Sequence, residues 1–248
     1  MKQSFTIHTD FVSPNFDKRR KKIDTIVLHS THMSFNESMK RLCDPSAKVS
    51  SHYLIDLKGK TYQLVEEKKR AWHAGISSWK GKSSLNNNSI GIELVDENTK
   101  GIRIKKFPKP QMESLITLLK ILIKKYKILK HNVIAHSDIA SDRKDDPGEH
   151  FNWPLLASHN VAQYHNAVIK NEKEQCFLNP KNATIKKIKD IQRMLKEYGY
   201  KIKITGKFDD QTKEVITAFR RRFNPKNLKK NYFNSIDFKI LLSLTQLE

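Results

Sequence analysis

The feature that most restricts the fold of this chain is a pair of short apolar runs, each followed directly by a histidine. The first run covers residues 23–28 and precedes His29, and the second covers residues 132–135 and precedes His136. Short runs of apolar and β-branched residues between polar segments are typical of buried strands. The packing of each strand would fix its imidazole in place, so we expect the two rings to converge at neighbouring strand ends.

The remaining periodicity predicts an α/β layer fold. Further strands are expected at residues 52–57, 61–65 and 89–95, with Lys58 and Gly59 as the hairpin turn between the first two. After Pro110 apolar residues recur at helical spacing, at Leu115, Leu118, Leu119, Leu122 and Tyr126. Strands interspersed with helices indicate a sheet covered by helices.

A second, smaller domain is expected after a linker. Periodicity lapses between residues 171 and 183, which hold the polar residues and proline of a linker, so the domains are predicted at 1–170 and 184–248. Gly199 is placed as a helix C-cap, and Asp209 or Asp210 as an N-cap. Three short helices are predicted there, with apolar positions Ile185, Ile188, Ile191 and Leu195, then Val215, Ile216, Phe219 and Phe223, then Ile236, Ile240, Leu241 and Leu244.

The net charge of the chain favours negatively charged partners but does not distinguish among them. The chain has 248 residues, 38% of them hydrophobic, and a formal net charge of +21, which favours nucleic acid, an anionic membrane or a carboxylate-rich polymer. A general bias toward lysine would produce the same charge. No apolar stretch is long enough to span a bilayer, and no nucleic-acid-binding motif is present, so we expect neither a transmembrane segment nor a nucleic-acid partner. Cys43 and Cys176 lie in no metal-binding spacing and indicate nothing about redox compartment.

An aspartate that follows the second histidine makes the two histidines candidate metal ligands. Asp146 stands before a Pro-Gly turn that can hold its carboxylate in place. Two neutral imidazoles and one carboxylate, with a fourth position for water, are typical of hydrolytic zinc. Asp142 and Asp145 are competing ligands that spacing does not exclude, and two unrelated core histidines are the alternative interpretation.

Glu93 and Lys144 are the candidate catalytic groups. In residues 89–95 Glu93 shares one strand face with Gly91, whose missing side chain would leave room for a ligand. We interpret Glu93 as a general base, and the alternative is an edge glutamate paired with a lysine. Lys144, two residues before Asp146, would reach the same pocket and stabilise an oxyanion.

Aromatic residues around Gly75 suggest a surface for sugar or peptide. Trp72, His73 and Trp79 lie in a predicted loop, where rings with a polar tip suit such ligands, although core packing is an equal alternative for Trp72. His32, His52 and His131 are interpreted as residues outside the set of metal ligands.

Together these motifs resemble the zinc-dependent N-acetylmuramoyl-L-alanine amidases of the type 2 family, kin to the peptidoglycan recognition proteins. The matching segments are IVLHST, VSSHYLIDLKGKTYQLV, RAWHAGISSWKG, NNNSIGIELV, NVIAHSDIASDRKDDPG and FNWPLL, within about residues 20–160. The resemblance implies a mixed central sheet flanked by helices and one Zn²⁺ per chain, held by His29, His136 and Asp146. It implies Glu93 as base and Lys144 as transition-state stabiliser. We also expect substrate contacts by Trp72, His73, Trp79 and Asn87. The bond cut would be the amide between N-acetylmuramic acid and L-alanine.

Residues 184–248 resemble a helical peptidoglycan-binding domain. The elements GY and TGKFDDQT carry this likeness, while Arg221 stands where the family commonly has glutamine. The partner implied is therefore peptidoglycan or its muropeptide fragments, in cell-wall remodelling or recycling, and the alternative is a non-catalytic peptidoglycan-binding receptor. A wall-binding domain indicates the bacterial envelope, whereas the lack of a visible signal peptide indicates the cytoplasm. Oligomeric state is not predicted.

Overall fold

The computed structural model describes residues 5–96, 106–167, 174–179 and 183–246. Its strands are β1 (Ile7–His8), β2 (Phe16–Lys18), β3 (Thr25–Ser30), β4 (Tyr53–Ile55), β5 (Thr61–Gln63), β6 (Lys69–Ala71), β7 (Ser78–Trp79), β8 (Lys82–Ser83), β9 (Ser89–Leu94), β10 (Val133–Ala135), β11 (Cys176–Leu178) and β12 (Phe233–Asn234). Its helices are α1 (Phe35–Cys43), α2 (Lys109–Tyr126), α3 (His136–Ile139), α4 (Trp153–Ser158), α5 (Ile185–Tyr198), α6 (Asp210–Phe223) and α7 (Ser235–Thr245).

The central sheet is mixed, as expected. Six strands pair in the order β1-β5-β4-β9-β3-β10, and only β4 and β5 run antiparallel to each other. The predicted hairpin turn joins β4 to β5, and Gly59 there has a φ of +84°, a conformation that favours glycine. Every residue of β3 is buried, which explains its continuous apolar run.

Helix α2 covers one face of this sheet. Leu115, Leu118, Leu119 and Leu122 are buried in one cluster with apolar side chains of β3 and β9. The periodicity after Pro110 therefore predicted the correct face of the helix. Because α2 packs on this face, the opposite face of β3 and β9 is left for other elements.

The C-terminal region contains the three expected helices, α5, α6 and α7. Gly199 follows α5 as its C-cap, and its N–H donates to the Leu195 carbonyl at 3.3 Å. Asp209, the first of the two candidate caps, accepts from the Thr212 N–H at 3.0 Å. The predicted linker contains β11, which pairs with β12 between α6 and α7. The domain limits of 1–170 and 184–248 stay a prediction.

The C-terminal helices pack directly against the sheet-containing part of the chain. One apolar cluster contains Trp79 and Ile139 together with Tyr198, Tyr200 and Phe223. Trp79 is 2% exposed, and its ring makes edge contacts with those of Tyr198 and Tyr200 at centroid distances of 5.6 and 5.3 Å. The two parts therefore share a buried interface. Within the described segments, no helix combines the length and apolarity needed to cross a bilayer.

Candidate metal centre

His29 and His136 meet because the strands that carry them are parallel neighbours. Ala135 of β10 is in register with Leu28 of β3, so the next residue of each strand lies at the same sheet edge. The two Nδ1 atoms are 3.0 Å apart. His29 lies inside β3 instead of after it, because the strand continues to Ser30. The first strand is thus shifted toward the C-terminus relative to the prediction of 23–28.

Asp146 completes a triangle with these two nitrogens. Its Oδ2 is 3.1 Å from Nδ1 of His136 and 3.3 Å from Nδ1 of His29, and all three residues are buried. Of the competing aspartates, Asp142 is exposed, and Asp145 is exposed at the edge of the cavity. In the parts of the chain that the structure describes, Asp146 is the carboxylate that groups with the two imidazoles.

The triangle fits a small cation. Each of its corners can present a lone pair, so a positive charge between them removes their mutual repulsion. Ligands about 2.0–2.1 Å from a tetrahedral ion lie about 3.3 Å from one another, close to the separations seen here. Two imidazoles and one carboxylate also form a donor set that zinc uses in hydrolytic sites. The residues present therefore fit a zinc ion.

The protonation states suit metal binding as well. Burial, with the nearby His136, lowers the pKa of His29 to about 4, so this ring is neutral at pH 7. Burial opposes ionisation of Asp146, but charges and hydrogen bonds from His136 and His29 outweigh it and hold the pKa of Asp146 well below its usual range. A neutral ring and an ionised carboxylate are the forms that bind metal.

Glu93 lies beside the triangle. It is in register with His29 on the adjacent strand β9, and its Oε1 is 4.0 Å from Nδ1 of His29. Its side chain is 15% exposed, and among the described residues its buried Oε2 has no hydrogen-bond partner. Burial raises the pKa of Glu93 well above its usual value, and Asp146 and Asp96 add to this shift. A carboxyl whose pKa is raised in this way binds a proton more readily than an ordinary glutamate does.

A cavity of about 470 Å³ opens over this group. Lys144 reaches it as predicted, and Trp72 lines it while donating from Nε1 to Asp17 at 3.3 Å. Other lining residues include Met33, Arg41, Val49, Ser50, His73, Arg143 and Asp145. The cavity thus has three cations around a partly apolar wall.

Two expected substrate contacts lie away from this cavity. Trp79 is packed against the C-terminal tyrosines, and Asn87 lies in the 3₁₀ turn Leu85–Asn87 with its amide donating to the Ser84 carbonyl. Neither residue lines the cavity, and a contact of either one with substrate stays a prediction.

The space beside Gly91 is filled by a ring of the protein itself, so the expectation of a ligand there was wrong. A Cβ on Gly91 would lie 2.4 Å from Cγ of His73. His73 is 8% exposed and lies between His29 and Ser89, with ring nitrogens 3.0 Å from each. The sequence pattern identified the missing side chain but not the residue that occupies its space.

Other residues around the site were missed from the sequence. Arg143 donates from Nη2 to the carbonyls of Ala74 (3.0 Å) and Ile76 (2.5 Å), which ties the two loops of the cavity together. Ser89 could have been found, because it shares the strand face of Gly91 and Glu93 by simple alternation.

Comparison with known families agrees with this geometry. Residues 19–149 match the family model described as N-acetylmuramoyl-L-alanine amidase, which is more than half of the chain. The chain belongs to this amidase family. Residues 185–227 match the model of a peptidoglycan binding domain, in the region where that resemblance was expected.

Curated relatives cover most of this amidase. It is 36% identical over 216 residues to N-acetylmuramoyl-L-alanine amidase AmiD of Escherichia coli K12, covering 82% of this chain and 76% of that protein. It is 33% identical over 167 residues to 1,6-anhydro-N-acetylmuramyl-L-alanine amidase AmpD of Haemophilus influenzae, covering 59% of this chain and 88% of that protein.

Solved structures show the same fold for this amidase. Escherichia coli AmiD in complex with anhydro-N-acetylmuramic acid-L-Ala-D-γ-Glu-L-Lys aligns with a TM-score of 0.76 and 30% identity, covering 94% of this chain and 97% of that one. Pseudomonas aeruginosa AmpDh3 in complex with anhydromuramic pentapeptide aligns with a TM-score of 0.74 and 27% identity, covering 91% and 92%. The amidase family is zinc-dependent in general and hydrolyses the bond between N-acetylmuramic acid and L-alanine.

Proposed function

We propose that this amidase holds one zinc ion with Nδ1 of His29, Nδ1 of His136 and Oδ2 of Asp146, and hydrolyses the lactyl–L-alanine amide of peptidoglycan or its muropeptides. The observation that carries the proposal is the buried triangle of these atoms, 3.0–3.3 Å on a side, with Glu93 next to it. When bound, zinc lowers the pKa of a water to about 7 and polarises a carbonyl oxygen.

Glu93 acts on the proton of the attacking water. Its raised pKa and its position 4.0 Å from His29 suit a base that accepts this proton on a carboxylate oxygen. The water oxygen bonds to the lactyl carbonyl carbon, and the carbon–nitrogen bond breaks. Glu93 then returns the proton to the leaving nitrogen of L-alanine, so that the carboxylate is regenerated.

Lys144 stabilises the negative charge that develops on the carbonyl oxygen. It lines the cavity near the start of the loop that delivers Asp146. A fixed cation in a partly buried cavity contributes more to the transition state than to the uncharged amide, because the oxygen gains charge only as the water adds.

The walls of the cavity suit a muropeptide. Trp72 offers an apolar ring face, and Arg41 and Arg143 offer cations that would attract stem-peptide carboxylates. The muropeptide ligands in the AmiD and AmpDh3 structures support this class of substrate.

A pair of glutamine substitutions tests the proposal. Glu93→Gln is expected to abolish release of stem peptides from purified sacculi while zinc content stays at one per chain. Glu66→Gln is the matched control, since Glu66 is exposed and does not line the cavity, and release by this variant should equal that of the wild type. Chelation should also stop release and added zinc restore it. Undiminished release by Glu93→Gln, or a native protein without zinc, would contradict the proposal.

We also propose that the chain acts in the bacterial envelope. The match of residues 185–227 to a peptidoglycan binding domain supports this location, because such a domain is useful where polymer is present. Fractionation of cells with an antibody to the chain tests it. Detection in the cytoplasm alone would instead favour the recycling of soluble muropeptides.

A further inference from the structure

A row of buried polar groups leads away from the metal centre behind His29. Nε2 of His29 is 3.0 Å from Nδ1 of His73, and Nε2 of His73 is 3.0 Å from Oγ of Ser89. The row ends where Ser89 Oγ lies 2.6 Å from the main-chain oxygen of Leu85. His29, His73 and Ser89 are 1%, 8% and 0% exposed, so their polar atoms must form hydrogen bonds with other groups of the protein.

The direction of each hydrogen bond follows from its last member. The Leu85 carbonyl only accepts, so Ser89 donates its single hydrogen there, and Ser89 Oγ then accepts from Nε2–H of His73. A neutral imidazole has one N–H, so Nδ1 of His73 is left to accept from Nε2–H of His29. Burial lowers the pKa of His73 well below its usual value, with His29 and His52 adding to the shift, which agrees with a neutral ring.

We propose that His73 and Ser89 are positioning residues that hold the ring proton of His29 on Nε2 and so keep its Nδ1 lone pair free for the metal. This inference rests on the proposed function, because it takes His29 as a zinc ligand. A histidine that binds metal through one nitrogen commonly donates from the other, and losing that second partner weakens metal binding by about 10- to 100-fold.

The hydrogen-bonded row from His29 through His73 and Ser89 to the Leu85 carbonyl is called the relay below. One face of β9 provides the positions that the relay requires. Ser89, Gly91 and Glu93 alternate along the strand and point to the same side, with Gly91 in register with Val27 and Glu93 with His29. Ser89 ends the relay, Gly91 leaves space for the His73 ring, and Glu93 flanks the metal ligands. His73 is also held by its main-chain N–H, which donates to Oδ1 of Asn86 at 3.1 Å.

The second imidazole provides an internal reference. Nε2 of His136 is buried and, among the described residues, has no hydrogen-bond partner. The relay therefore acts on His29 alone, and changes in it should alter the nitrogen signals of His29 before those of His136.

The test combines ring-nitrogen NMR with zinc affinity in the full chain. In metal-free wild-type protein, long-range ¹H–¹⁵N spectra should show His29 protonated on Nε2. Ser89→Ala should mix the two tautomers of His29 and raise the zinc dissociation constant about tenfold. Ser51→Ala is the matched control, because Ser51 is equally buried and its hydroxyl donates to the Tyr53 carbonyl at 2.9 Å, outside the relay; it should leave both measurements unchanged.

A second variant tests whether Ser89 acts through His73. His73→Phe should weaken zinc binding by about 10- to 100-fold, and adding Ser89→Ala to it should weaken binding no further. The inference is overturned if metal-free His29 carries its proton on Nδ1, if Ser89→Ala behaves like Ser51→Ala, or if the two changes add. Should His73→Phe not fold, the comparison of the two serine variants decides. A wild type that binds no zinc would refute the proposed metal site, while the tautomer of metal-free His29 would still test the relay.

Discussion

Arg222 of α6 and Asp138 of α3 form an ion pair across the interface between the two parts of the chain, with Nη1 and Oδ2 2.7 Å apart and both side chains almost fully buried. The same carboxylate accepts from the Ala135 N–H at 2.9 Å and from the Tyr200 hydroxyl at 2.8 Å. Asp138 lies two residues after His136 and anchors the start of the helix that contains it. Arg222 of α6 and Tyr200, two residues after α5, thus supply two of the donors that hold this part of the candidate metal centre.

Arg222→Leu should strongly destabilise the protein. The change leaves Asp138 buried without its cation, which is expected to lower the free energy of unfolding by about 3–5 kcal/mol in urea titrations. Arg193→Leu is the matched control, since Arg193 pairs with Asp190 at the same 2.7 Å but on the exposed surface. That control should cost less than about 1 kcal/mol, and equal losses in the two variants would contradict the structural role of the buried pair.

Trp72 and Trp79 should differ in an experiment that measures both stability and kinetics. Trp79→Ala removes a ring from the interface with Tyr198 and Tyr200 and should lower the free energy of unfolding by about 3–5 kcal/mol with KM for a muropeptide unchanged. Trp72→Ala removes a wall of the cavity and should raise KM severalfold with a smaller loss of stability. A raised KM in folded Trp79→Ala would show that this ring affects the substrate after all.

Lys144→Met should lower kcat about 100-fold while KM changes little, because the lysine interacts with charge that develops only in the transition state. Lys144→Arg, which retains the cation, should recover part of the loss. Lys120→Met is the control for losing one positive charge, since Lys120 is exposed on α2, and it should match the wild type. Steady-state hydrolysis of a soluble muropeptide measures all three, and equal rates for Lys144→Met and the control would remove Lys144 from the mechanism.

The buried histidines should make the metal-free protein sensitive to mild acid. Burial, with Arg19 nearby, lowers the pKa of His52 to about 3, whereas the unfolded chain protonates this ring near pH 6.5. The unfolded state therefore binds more protons between pH 6.5 and 3, so stability present above pH 6.5 is lost as the pH falls. From pH 7 to 5 His52 alone accounts for about 2 kcal/mol. Urea unfolding of the wild type and of His52→Gln at pH 7 and pH 5 checks this prediction. Between these pH values the free energy of unfolding should fall by about 2 kcal/mol more in the wild type than in the variant.

The convergence of the candidate metal ligands His29 and His136 could be predicted in part, because each lies at the end of a run whose strand character is local. An apolar run indicates a buried strand, and parallel neighbours such as β3 and β10 end at one sheet edge, so His29 and His136 meet because the two runs pair in parallel. Strand alternation likewise put Glu93 on the ligand side. The choice of Asp146 over Asp142 and Asp145 required the folded loop, because all three stand within five residues and only Asp146 is buried.

The parts that could not be predicted depend on contacts distant in the chain. An aromatic ring in a loop has the same sequence pattern whether it faces a sugar or another helix, and the partners of Trp79 come more than 100 residues later. Gly91 shows a missing side chain, but its neighbour His73 arrives from a separate loop. The predicted linker likewise gave no local sign that residues 176–178 pair with residues 233–234.

The buried interface between the C-terminal helices and the sheet-containing part also sets the position of these helices relative to the cavity. Because Trp79 and Arg222 pack the C-terminal helices against the sheet-containing part of the chain, any polymer bound by those helices would lie at a fixed distance from the cavity. A flexible linker between the two parts would instead allow a range of distances between the bound polymer and the cavity. In this structure the packed interface fixes the distance between the C-terminal helices and the cavity.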